Sequence, residues 1–308
     1  MFAEGIQDYV DRVRRISAAV NTGNMLDDRR LRYDLLAEEF RRPYPAGMRV
    51  RNTSIVLAGH EVPVRIYWPP DAEKPPIICY FHGGGFLAGS IESHDMITSA
   101  LCEFTGAAVI SVHYRRVPEN PYPMPQEDCY AAVCWAAARA DALGLDGSRM
   151  AVAGDSAGGL LSTAVAMMAR DRNGPTLRHQ TLIYGVFDFD LERTSYRTAK
   201  DPLLTYEAIR YLAPAYLGGR LDTHDPYAVP MRAKNLTGLP PAYVLRAEFD
   251  TLFEEEGEYA AKLRAANVAT QLRDAQKMIH GFLRAIEISP PAKQELMRMA
   301  DAIRAHLI

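Results

Sequence analysis

The chain of 308 residues carries 35 Lys and Arg against 38 Asp and Glu, a formal net charge of −3, with 48 % apolar and 24 % charged residues. That is the balance of a globular protein of one large α/β domain or two ordinary ones, and it excludes collagen, coiled coil and disordered chains. A slightly acidic chain offers no basic field to nucleic acid or to an anionic membrane surface. The four cysteines, Cys79, Cys102, Cys129 and Cys134, form no CxxC pair and are too few for a disulfide scaffold, so they read as reduced, mostly buried thiols of a cytoplasmic protein. The N-terminus meets charge at Glu4 and Asp8, which argues against the apolar core of a signal peptide. No charge-free stretch reaches the ~18 residues of a membrane span.

In chain order, Ile6, Val10, Val13, Ile16 and Val20 fall at steps of three and four, which predicts a helix with one apolar face. A second helix is expected from about Asp27 to Arg41, with Leu31, Leu35, Leu36 and Phe40 inward, stopped by Pro43 and Pro45. Such a pair cannot bury its stripe alone and should lie against the body of the protein. From Met48 the period changes to two. Thr53–Leu57 and the alternating Val62, Val64, Ile66 and Trp68 predict two strands joined by a turn at Ala58-Gly59.

Short apolar runs then alternate with helical stretches. Strands are expected at Ile77–Phe81, Ala107–Val112, Met150–Ala153, Gln180–Tyr184, Ala242–Arg246 and Thr270–Leu272. Helices are expected near Asp95–Phe104, Gln126–Ala142, Gly158–Arg170 and Glu254–Ala266. This alternation implies a mostly parallel sheet covered on both faces. The segment from Phe187 to about Tyr227 is longer than a crossover needs and reads as a helical insertion rich in Tyr and Leu, among them Leu203, Leu204, Tyr206, Tyr211 and Tyr216.

Gly154-Asp155-Ser156-Ala157-Gly158 is a GxSxG pentapeptide with a strand leading in and a helix leading out. A sharp strand-to-helix turn puts the serine in strained backbone geometry, and flanking glycines remove the Cβ atoms that would collide there. The serine then stands at the head of a helix, whose amides favour developing negative charge. The bland alternative is a glycine-rich turn with an incidental capping serine. His82-Gly83-Gly84-Gly85-Phe86 directly follows the strand Ile77–Phe81. Successive glycines at a strand's C-terminal end let backbone N–H groups approach a ligand. No GxxxxGK[ST] or GxGxxG accompanies them to favour a phosphate site.

These motifs resemble the hormone-sensitive-lipase group of α/β-hydrolase esterases, with bacterial acetyl esterases most alike. The likeness rests on HGGGF, on Gly154-Asp-Ser-Ala-Gly-Gly159, and on Tyr114-Arg-Arg-Val-Pro-Glu-Asn-Pro-Tyr-Pro123, similar to the group's YRLAPE segment. His94-Asp95 and Ala247-Glu248-Phe249-Asp250 add to it. The resemblance implies an α/β-hydrolase fold, with a catalytic domain over 47–308. It also implies a helical cap built from residues 1–46 and the insertion 187–227. Departures are Arg116-Val117 for Leu-Ala, His113 before the tyrosine, and Thr251 and Glu256 where the acid motif carries proline and glycine.

A nucleophilic serine needs a base and an anion to orient it, and in this fold the order is Ser, acid, His. Only His280 and His306 follow the candidate acids, and His306 is the third residue from the end, in a terminal helical segment. His280, in Met278-Ile-His-Gly-Phe282, matches the family's histidine motif; by itself a loop histidine reads as a surface residue. Asp250 closes the strand Ala242–Arg246 and aligns with the family's aspartate, with Glu248 and Glu254 as rivals and a solvated acidic cluster as the plain reading of Glu254–Glu256. The expected triad is Ser156, Asp250 and His280, with backbone N–H groups of Gly83, Gly84 and Ala157 receiving the oxyanion. His82, Gly85 and Asp155 are expected to shape the glycine loop. Cys129 and Cys134 read as packing residues, not metal ligands, and the Tyr and Leu of the insertion as cap core before substrate contacts.

The reading is a serine carboxylic-ester hydrolase without metal or organic cofactor. Its expected substrate is a small-molecule ester with an acetyl to hexanoyl acyl group. An amidase, carbamate hydrolase or arylformamidase on the same triad is one alternative; a non-catalytic binding protein on the same fold is another. A homodimer is the family's habit and rests on nothing else.

Overall fold

The computed structural model describes residues 1–308. Helices α1 (Ile6–Ala19) and α2 (Met25–Glu39) come first. The Asn24 side chain accepts from the Leu26 and Asp27 amides, so α2 starts two residues before the sequence expectation. Strands β1 (Arg49–Leu57) and β2 (His60–Trp68) form an antiparallel hairpin. There follow β3 (Pro76–Phe81), α3 (Ile91–Thr105), β4 (Ala108–Val112), α4 (Met124–Leu143), β5 (Asp146–Asp155), α5 (Ala157–Asp171) and β6 (Leu177–Ile183). The insertion holds only two short helices, α6 (Thr194–Thr198) and α7 (Tyr206–Leu217), among irregular chain. Then come β7 (Ala242–Ala247), α8 (Phe253–Ala265), β8 (Thr270–Ala275) and α9 (Pro290–Leu307).

The eight strands make one sheet in the order β1-β2-β4-β3-β5-β6-β7-β8, with β3 to β8 parallel and β2 antiparallel to both its neighbours, β1 and β4. This is the α/β-hydrolase architecture that the motifs imply. Period-two alternation sends Ile77, Cys79 and Phe81 to one face and Ile78 and Tyr80 to the other, and all are buried. Cys129, Val133 and Leu160 of α4 and α5 cover the first face. Ile97 and Leu101 of α3, with Leu296 and Met299 of α9, cover the second. Burial on both faces explains why these strands read as continuous apolar runs.

The site follows from this strand order. The chain leaves β3 toward β4 on one side and leaves β5 toward β6 on the other, so their C-terminal ends open a crevice where the order reverses. Phe81 and Gly154, the last paired residues of β3 and β5, face each other there. Ile6, Tyr9, Val10, Leu36 and Phe40 bury α1 and α2 against the main body. Leu31, expected inward, is 40 % exposed. The inner face of α2 carries Arg29, Arg32, Tyr33 and Leu36 instead, so it is not an apolar stripe.

Candidate active site

Ser156 sits between β5 and α5 with φ 56° and ψ −117°, a conformation that non-glycine residues rarely take. The tight turn is possible because Gly158 has no side chain: a Cβ there would lie 1.8 Å from the Phe81 carbonyl oxygen. The Ser156 amide donates to Ile183 O at 2.8 Å, pinning the turn to β6.

His280 follows β8 on a loop and lies 2.9 Å by its Nε2 from Ser156 Oγ. Its Nδ1 lies 2.7 Å from Asp250 Oδ2. Asp250, after β7, is 4 % exposed, and its Oδ1 accepts the Leu252 amide at 2.9 Å. With Nδ1–H donated to the carboxylate, Nε2 is left as the acceptor facing the serine hydroxyl. Burial works against a charged His280, but the charge and hydrogen bond of Asp250 outweigh it, so its pKa is raised. Ser156, His280 and Asp250 are thus brought together in a continuous hydrogen-bonded row. The rivals are elsewhere: Glu248 accepts the Lys277 amide at 2.7 Å, and Glu254 is exposed. His306 stacks on His179, near the N-terminal end of β6 and so at the opposite end of the strands from Ser156.

The glycine loop requires one correction. The Gly83 N–H donates to Asp155 Oδ1 at 2.9 Å, so it is committed to the protein and does not face the crevice as expected. Gly84 and Gly85 follow with positive φ of 120° and 64°. A Cβ on Gly84 would meet Ala88 O at 2.3 Å, so this turn too demands glycine. Gly85, expected only to shape the loop, lines the cavity beside Ser156 and His280. Ala157 is the first residue of α5, where an amide has no partner inside the helix.

Asp155 is buried and is the anchor of this loop. Besides Gly83 N–H, its Oδ1 accepts Tyr80 OH at 2.7 Å. Burial pushes its carboxyl up, but the Arg284 charge and the Tyr80 hydroxyl hold it below the usual carboxylate range. Arg284 Nη2 lies 2.7 Å from His94 Nε2. An arginine can only donate, so Nε2 is an acceptor and the proton sits on Nδ1, toward Ser93 Oγ at 2.9 Å. Burial, only partly offset by Asp155, keeps His94 neutral. His82 directs Nδ1 to the Gly83 carbonyl at 2.9 Å and stacks on Tyr114 at 4.3 Å. Burial together with His94 and His113 lowers its pKa well below the ordinary value, so it holds shape and does not carry protons.

Several residues of the site have no sequence signal. Asp201, in the insertion, accepts the His280 amide at 2.6 Å through Oδ2 and the Leu203 and Leu204 amides through Oδ1. Burial and the neighbouring Asp250 push its carboxyl up to about 6. Thr251, standing in place of the family's proline, donates its hydroxyl to Leu204 O at 2.5 Å. Both contacts tie the insertion to the acid and base loops. Glu256, in place of the family's glycine, is buried in α8 with neither oxygen bonded, and Glu255 beside it is buried too. The expected solvated cluster is therefore exposed only at Glu254.

A cavity of about 280 Å³ opens at Ser156 and His280, walled by Leu203, Leu204, Ile209 and Leu212 from the insertion and by Tyr9, Val13 and Tyr33 from α1 and α2. Tyr216 packs inside instead, stacked on Phe86 at 3.9 Å, and Tyr211 is exposed. No group of three or more His, Cys, Asp or Glu side chains is arranged to hold a metal ion. No helix is long and apolar enough to cross a membrane.

Residues 78–284 match the family model described as alpha/beta hydrolase fold. Esterase LipI of Mycobacterium tuberculosis is 37 % identical over 273 residues, 87 % of this chain and 85 % of that protein. Ethyl acetate hydrolase of Pseudomonas putida is 35 % identical over 255 residues, 81 % of this chain and 80 % of that one. Among solved structures, a hyperthermophilic esterase from Pyrobaculum calidifontis superposes with a TM-score of 0.89 at 32 % identity, covering 99 % of both chains. On this kinship, with the glycine loop and serine elbow in place, the chain belongs to the alpha/beta hydrolase family and, within it, to the hormone-sensitive-lipase group of esterases.

Proposed function

We propose that this carboxylesterase hydrolyses short-chain acyl esters, acetyl to hexanoyl, with Ser156 as nucleophile, His280 as base and Asp250 as its orienting acid. The observation that carries the reading is the row Ser156 Oγ–His280 Nε2 at 2.9 Å and His280 Nδ1–Asp250 Oδ2 at 2.7 Å. His280 takes the hydroxyl proton as Ser156 Oγ attacks the ester carbonyl. The imidazolium that forms lies against Asp250, whose negative charge stabilises it. The oxyanion is received by the N–H groups of Gly84, Gly85 and Ala157, since that of Gly83 is already given to Asp155. Those contacts tighten only as the tetrahedral species forms, which lowers the barrier more than it strengthens substrate binding. His280 then passes its proton to the departing alcohol, and in the second half-reaction it draws a proton from water to release the acid.

The short-chain preference rests on the cavity. Its volume of about 280 Å³ lies just below the usual range of ligand pockets, roughly 300 to 1,000 Å³. Residues 1–46 and 187–227 together act as the cap that sets this volume, because their side chains supply most of its walls.

The test is hydrolysis of p-nitrophenyl esters from acetyl to dodecanoyl, with Ser156→Ala alongside. Turnover peaking at short chains, and lost by a factor on the order of 10⁶ in the variant, is the expected result. A maximum at long chains overturns the chain-length reading. Turnover that survives in Ser156→Ala overturns the mechanism.

A further inference from the structure

The cap brings arginines into the esterase cavity. Arg29 and Arg32 of α2 line it together with Arg284, and no Asp or Glu does. Arg284 is already occupied, donating to the Ser93 carbonyl and to His94 Nε2. The other two are not. The Nε of Arg29 and that of Arg32 are closed off from solvent and bonded to nothing. The one carboxylate near Arg32 is Asp28, at 4.0 Å, beyond hydrogen-bond distance. The adjacent Arg30 shows the satisfied alternative on the same helix: both its terminal nitrogens reach Glu119 at 2.7 Å, and its Nε reaches Leu87 O. Arg29 also lies close to the reacting centre, since a Cβ built on Gly85 would come within 3.0 Å of its Nη2.

We infer that the substrate of this site is an anionic ester, one whose alcohol or acyl part carries a free carboxylate that Arg29 and Arg32 receive. This deepens the Ser156 esterase reading and rests on it. A guanidinium presents donors in a planar fork matched to two carboxylate oxygens. Here it faces a cavity whose other walls are largely apolar, where a charge pair is stronger than in water. A neutral ester leaves these donors with water or with nothing, and sites built to hydrogen-bond a group discriminate against analogues that lack it. Arg29 beside Gly85 has one competing role, direct support of the oxyanion, which would help neutral and anionic esters alike.

The experiment compares matched pairs on one protein sample, so that any unfolded fraction cancels in the ratio. With the charge on the alcohol, the pair is 4-acetoxybenzoate and 4-acetoxybenzamide. With the charge on the acyl group, it is monoethyl succinate and its amide, ethyl succinamate. Each rate is corrected for the ester's reactivity with hydroxide. The expected kcat/KM ratio favours the carboxylate at least tenfold in one of the pairs, narrows as salt is added, and collapses in Arg29→Gln or Arg32→Gln. No preference in either pair, with p-nitrophenyl acetate still turned over, overturns this inference alone. A preference that both variants leave intact overturns it as well. Equal loss on both members of a pair in Arg29→Gln, with the preference also intact in Arg32→Gln, assigns Arg29 to the oxyanion and overturns it too. Absence of Ser156-dependent turnover on every ester instead removes the reading beneath it.

Discussion

Replacing Gly158 by alanine tests the elbow that presents Ser156. A Cβ there would lie 1.8 Å from the Phe81 carbonyl oxygen, whereas carbon and oxygen in close contact rest about 3.3 Å apart. The last residue of β3 and the first turn of α5 must therefore part by about 1.5 Å. The atoms met, of Phe81 and His82, are all backbone, so no side-chain rotation relieves them. Overpacking of this kind costs about 1–3 kcal/mol, and a backbone clash belongs at the upper end. The functional cost is larger. Gly84 and Gly85 hang from the β3 side and Ala157 from the α5 side, so the displacement opens the gap across which the proposed oxyanion donors must act together. A misplacement of about 1 Å costs ~10²-fold in rate, so kcat on p-nitrophenyl acetate should fall by at least that factor. Urea unfolding gives the stability change, and titration with a phosphonate ester gives the fraction of folded sites by which kcat is corrected. A variant within about 0.5 kcal/mol of the parent, the range of a neutral surface change, and with kcat within about threefold, refutes the reasoning.

Asp155→Asn keeps the packing but removes the charge that holds the Gly83 amide and faces Arg284; kcat is expected to fall ~10-fold or more with little change in KM, and a change confined to KM contradicts the loop's role. The acid limb of kcat/KM reports loss of the proton from His280, whose pKa is raised. Activity should therefore rise with pH through a midpoint above the ordinary histidine value, and a midpoint at or below it contradicts the coupling to Asp250. Asp201→Asn takes an anion away from His280, which makes the imidazolium less favourable, so the same limb moves to lower pH; an unmoved limb reduces Asp201 to a structural tie. Glu256 is buried without a hydrogen bond, and burial, Asp250 and Glu255 raise its pKa. The folded state then holds a proton that the unfolded state releases above the ordinary value of 4.5, so stability falls as pH rises from there. Glu256→Gln should raise the melting temperature at pH 8 and not at pH 4, and equal shifts at both contradict a buried ionisable group.

The parts of the site that were legible in the sequence are those where local backbone geometry dictates the residue. The serine elbow needs glycine at 158, the loop after β3 needs it at 84, and the strands that lead into both are buried on two faces and so read as plain apolar runs. What escaped depends on where single donors and side chains point. Gly83, Gly84 and Gly85 are the same residue, and the first differs in giving its amide to Asp155 at 2.9 Å and to His94 Nε2 at 3.2 Å; no spacing rule states which amide they take. Asp201 reaches His280 from 79 residues away, through an insertion whose path follows no periodicity. Leu31 reads as inward because an amphipathic helix ordinarily faces a core. The inner face of α2 meets a cavity with arginines on its wall, and that inverts the pattern.

The most direct measurement is the site of covalent modification by an acylating-type inhibitor. Incubation with diethyl p-nitrophenyl phosphate, followed by peptide mass spectrometry, should place one diethylphosphoryl group on Ser156 in step with loss of esterase activity, and Ser156→Ala should carry none. Loss of activity with the label on any other residue, or full labelling with activity retained, would contradict Ser156 as the nucleophile and the account built on it.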